Sequence, residues 1–71
     1  MGRYMILRSQ ANEIILSSLG LPYEVSGNAI IFEGDIKRDL LRIASTLKGL
    51  GYARDDADAL SLAKSFFINP L

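Results

Sequence analysis

The chain has 71 residues with no cysteine and no histidine, and its eight lysines and arginines balance eight aspartates and glutamates. Those absences exclude disulfides, structural zinc sites of the usual ligands, and nucleophilic catalysis of the Ser-His-Asp or Cys-His kind. A chain this short buries only about 60% of the surface its unfolded form exposes, and its core supplies roughly 3–5 kcal/mol. Self-association is the common staple that remains, so a homo-oligomer is expected.

Zero net charge weighs against a nucleic-acid footprint spread over the whole domain, although a local one stays open. Apolar runs such as Tyr4–Leu7 are far too short to span a membrane. Arg8 breaks the N-terminal apolar stretch, which is therefore not read as a secretory signal. A cytosolic location is the default expectation. There is no Walker-type glycine loop and no GxGxxG motif. No cofactor is implied, and the chain is not expected to be an enzyme.

In chain order, residues 3–8 read as a strand whose centre, apolar on both faces, suggests burial between other elements. Ser9 fits an N-cap. The helix that follows carries Ala11, Ile15, Leu16 and Leu19 on one side, widened by Ile14. Gly20 fits the left-handed position after it, with Leu21 set to touch Leu16 in a Schellman motif, and Pro22 blocks continuation. Residues 22–26 and 29–33 form a hairpin around Gly27-Asn28.

Asp35 is placed to cap a second helix over residues 36–50, with Ile36, Leu40, Ile43, Ala44, Leu47 and Leu50 on one arc. Gly51 and Tyr52 repeat the ending seen at Gly20 and Leu21. A third helix over residues 55–67 is capped by Asp55, with Asp58 completing a capping box. Its apolar face holds Ala59, Leu60, Leu62, Ala63, Phe66 and Phe67, and Asn69-Pro70 stops it. The whole is one α+β domain, residues 1–71, in the order β-α-β-β-α-α: a three-stranded sheet with helices on one face. The sheet's unprotected edges invite a second copy.

Asp55, Asp56 and Asp58 carry oxygens suited to a hard cation, but acids in a helix's first turn are better explained by capping and the helix dipole. Lys37, Arg38, Arg42 and Lys48 lie opposite the second helix's apolar arc. They read either as a solvated face or as contacts to nucleic-acid phosphates. Tyr4, beside Arg3, is the one aromatic with basic neighbours of the kind that stacks bases. Leu41 stands on that same polar face between Lys37, Ser45 and Lys48, where a lone leucine can anchor a protein partner.

Leu47-Lys48-Gly49-Leu50-Gly51-Tyr52-Ala53-Arg54-Asp55-Asp56-Ala57 resembles the L-x-x-L-G-Y-x-x-x-[DE]-A pattern of the C-terminal domain of RuvA, a module similar to ubiquitin-associated (UBA-like) domains. The likeness covers roughly residues 40–67. It implies docking onto a protein partner, with Leu50, Gly51, Tyr52 and Ala57 as fold-determining positions. The β-α-β-β-α order, with Asp39-Leu40-Leu41-Arg42 opening into Ser45-Thr46, resembles the small dimerisation subunit of the KEOPS tRNA-modification complex, and bears on fold alone. The residues thus point to two functions. The first is a self-associating interaction or assembly module that meets an unidentified protein through Leu41, Arg42, Lys37 and Lys48. The second is a nucleic-acid-binding protein using Lys37, Arg38, Arg42 and Lys48.

Overall fold

The structure, a computed structural model, describes residues 1–71. Its elements are β1 (Gly2–Leu7), α1 (Gln10–Leu19), β2 (Tyr23–Ser26), β3 (Ala29–Gly34), α2 (Ile36–Gly49) and α3 (Asp56–Ser65). The strands form one antiparallel sheet in the order β1-β3-β2. The helices cover the sheet face that carries Tyr4, Ile6, Ile30 and Phe32, and no helix is long and apolar enough to cross a membrane.

Local chemistry sets the boundaries. Ser9 accepts from the Asn12 N–H and starts α1; Asp35 accepts from the Lys37 N–H and starts α2. Gly20 (φ +69°) and Gly51 (φ +84°) end these helices in the left-handed region, where a Cβ would be strained. At both ends the Schellman bonds are made: Leu21 N–H to Leu16 O at 3.0 Å, and Tyr52 N–H to Leu47 O at 2.9 Å. Asp55 caps α3 as expected, but the box is shifted. The Asp58 carboxylate accepts from the Arg54 N–H, one residue before the cap.

The core joins Ile15 and Leu16 of α1, Ile30 and Phe32 of β3, Ile43 and Leu47 of α2, and Ala59 and Ala63 of α3. Phe66 and Phe67 lie just beyond α3, not within it, and both are buried. Phe32 and Phe67 meet edge-on at 5.8 Å between centroids, and Phe67 meets Tyr4 edge-on at 4.9 Å. Tyr4 therefore belongs to the core's aromatic cluster.

The structure departs from the sequence pattern at three further points. The centre of β1 is not buried on both faces: Met5 and Leu7 lie on the open side of the sheet, with Leu7 71% exposed. Seventy-one residues supply a sheet and one helical layer, and nothing covers the second face. The buried stripe of α2 runs through Asp39, Ile43 and Leu47, so Ile36 and Leu50 stay exposed although they share the apolar arc. The two sheet edges also differ. The β1 edge is covered by the C-terminal tail, through Met5 N–H to Asn69 O at 2.9 Å and Leu71 N–H to Arg3 O at 2.8 Å, while Asn12 Nδ2 donates to Leu7 O at 2.8 Å. The β2 edge carries no such cover.

Candidate functional site

The polar face of α2 resolves into two parts. The first is a charge cluster around Asp39, a residue with no exposed surface. Asp39 is one turn inside α2, four residues after the cap. Its Oδ2 accepts from the Asp35 N–H at 2.8 Å and from the Arg38 guanidinium at 2.7 Å. Its Oδ1 accepts from Arg38 Nε and from Arg42, both at 2.8 Å. Arg42 also reaches Leu19 O at 3.3 Å. That carbonyl ends α1, whose last turn has no basic residue of its own.

The hydrogen bonds from Arg38 act first to hold the Asp39 carboxyl down to about 2 from its ordinary 3.8. Burial opposes them, and the Asp35 N–H and Arg42 add to them. The same bond pushes the Arg38 guanidinium up. With both oxygens of Asp39 satisfied, the cluster is a tie between α1, α2 and the end of β3.

Gly34 is buried against this tie. A Cβ there would stand 3.0 Å from the Phe32 ring and 3.4 Å from Asp39 Oδ2. Gly34→Ala is therefore expected to lower stability by about 1–3 kcal/mol, read from the midpoint of urea unfolding.

The second part is a groove of about 700 Å³ between α2 and α3. Buried Ala44 and Ala59 are its small apolar side chains, and Leu41 and Leu60 are its larger ones, with Leu41 72% exposed. At the turn end of the helix pair, Lys48 Nζ meets the exposed Asp56 carboxylate at 2.9 Å, which raises the Lys48 pKa. The groove is lined by no titratable group beyond this pair.

No family model matches the chain, and no curated protein or solved structure does. Leu41 stands at the groove and Lys48 at its end. Arg38 and Arg42 belong to the Asp39 tie, each with about half its side chain exposed. Lys37 is in no ion pair. The acidic group separates into roles that are all local: Asp55 caps, Asp58 meets Arg54, and Asp56 meets Lys48. No group of three potential metal ligands exists. At the turn singled out by the UBA-like pattern, Gly51 takes the left-handed conformation, Leu47 and Ala53 are buried, and Leu50, Tyr52 and Ala57 are exposed.

Sequence reasoning missed Asp39 and the groove. The first had a signal: Asp39 is flanked by arginines at i−1 and i+3 and lies one turn after an aspartate cap. The groove had none, because it depends on how closely alanines let two helices approach.

Proposed function

We propose that this protein is a cytosolic interaction and assembly module, an accessory subunit without catalytic activity, which docks an acidic, apolar-anchored helix of a protein partner in the α2–α3 groove. The observation that carries the reading is Leu41, 72% exposed at a partly apolar groove formed by two helices. A lone exposed leucine needs no explanation, whereas one beside an apolar cleft has a place to deliver a partner's side chain. The choice of an acidic partner rests on charge. Lys37 is unpaired, and Arg38 and Arg42 together bring two positive charges against the single buried Asp39. The likeness to UBA-like domains, which dock onto proteins, is compatible with this surface.

A helical peptide with leucines at i and i+4 flanked by glutamates is the direct probe. Titrated into labelled protein, it should shift the amide signals of Leu41, Ser45, Gly49 and Leu60. Leu41→Asp should weaken that binding about 30-fold, the loss of one hot-spot side chain, while changing stability by no more than about 0.5 kcal/mol. Binding that survives Leu41→Asp would place the contact elsewhere.

Nucleic-acid binding is the second reading, favoured by Lys37 and by the exposed outer halves of Arg38 and Arg42. It stands second because the chain carries no net charge, whereas nucleic-acid binders carry a basic footprint over the domain. Phosphate contact would vanish after nuclease treatment and weaken steeply with log salt; docking of an acidic helix held by its leucines would survive nuclease and weaken less with salt.

A further inference from the structure

We infer that the chain self-associates as a closed two-fold dimer through the free edge of β2, joining two sheets into one of six strands, with α1 packing against α1 of the second copy above the junction. This specifies the self-association within the proposed assembly role and does not use the α2–α3 groove.

The register of the hairpin fixes which backbone groups are free. Ser26 faces Ala29 across the two-residue turn, and Glu24 faces Ile31. The Glu33 N–H donates to Pro22 O at 2.9 Å. The N–H and C=O of residues 22, 24 and 26 therefore point at β3, and those of Tyr23 and Val25 point outward. No group of the chain reaches them. On the opposite edge the outward groups of Arg3, Met5 and Leu7 are met by the tail and by Asn12.

This asymmetry selects a second copy and a closed assembly. Strands pairing antiparallel with their own copy generate a two-fold axis. Joined at β2, the enlarged sheet ends on a tail-covered β1 at each side, so addition stops at two.

Edge strands are commonly guarded by lysine, proline, a bulge or an inward charge. Within β2 the sole charged residue is Glu24, and Arg3 draws its carboxylate back across the open face of the sheet at 3.1 Å. In the joined sheet the two Glu24 side chains would come near the axis, each neutralised by its own Arg3. On the helix side, the flank beside β2 carries the apolar and small groups a junction needs. Val25 is 40% and Ile14 37% exposed. Ser17 holds Tyr23 through their hydroxyls at 3.3 Å, which docks the end of α1 over the start of β2. Ile14 lies one helical turn before Ser17 on the same side of α1. Ser17 and Ser18 are small enough for a second α1 to approach closely.

The test is the mass of the intact protein at micromolar concentration by sedimentation or light scattering, with amide exchange on the same samples. The expected result is twice the 7.8 kDa chain mass, with slow exchange at the Tyr23 and Val25 amides. Val25→Pro removes an outward donor without touching the β2–β3 ladder, and Val25→Lys guards the edge without altering the backbone. Both should run as monomers, each with the helical circular dichroism of the parent. Leu41→Asp should stay a dimer. A monomeric parent, fast exchange at Tyr23 and Val25 in a dimer, or a dimer that persists in folded Val25→Lys would each overturn the inference. If Leu41→Asp alone dissolves the dimer, association runs through the groove; the β2 edge is then wrong and the docking role of the groove stands.

Discussion

Asp39→Ala should lower the stability of this domain by about 3 kcal/mol, a fall in Tm on the order of 10–20 °C for a chain this small. The loss has three sources. The Asp35 N–H loses its acceptor at the start of α2, Arg38 and Arg42 lose the charge that holds them on the helix, and Arg42 is no longer steered toward the end of α1. Both arginines are about half exposed and recover water, which keeps the loss at the lower end for a broken buried pair. Asp39→Asn keeps an acceptor for the Asp35 N–H and should lose less. Equal losses in the two variants would show that charge contributes little and the cap dominates.

The same residue sets an acid limb. Asp39 is depressed in the folded state, so its contribution is present in full above the ordinary carboxyl value of 3.8 and is lost as pH falls toward about 2. That window is worth about 2 kcal/mol. Urea unfolding followed from pH 6 to pH 2 should show the parent converging on Asp39→Ala at the acid end. Curves that stay parallel would mean Asp39 does not titrate in that range.

What could be read from the sequence was what depends on near neighbours. Ser9, Gly20, Asp35, Gly51 and Asp55 each act on backbone groups a few residues away, so their spacing shows the helix ends directly. The hairpin at Gly27-Asn28 is legible for the same reason. What was not legible depends on the layer count. Met5 and Leu7 alternate with Tyr4 and Ile6 in an unbroken apolar run, which cannot reveal that only one face is covered. Asn69-Pro70 reads as a helix stop, and nothing local says that the tail then lies along β1. Leu41 was legible as a lone apolar residue on a polar face. That it stands over a cleft follows from the packing of α2 on α3, which the pattern of α2 alone does not contain.

Phe32→Ala bears on whether assembly and folding are separable. Phe32 is fully buried and meets Tyr4, Phe66 and Phe67 between 5.6 and 6.1 Å. Truncating such a ring costs about 3–5 kcal/mol, the whole margin expected of a core this size. The variant should be unfolded at low micromolar concentration, and the tail that Phe67 anchors over β1 should be lost with it. If folded chains pair through β2, mass action favours the folded state. Helical circular dichroism should then return as concentration rises, and the return should disappear in the Phe32→Ala, Val25→Lys double variant. A Phe32→Ala protein that is folded and monomeric when dilute would show that one copy holds its fold without help. Dimerisation would then serve the binding role alone. Recovery that persists in the double variant would place the stabilising contact on another surface, and the open face with Met5 and Leu7 would be the next to probe.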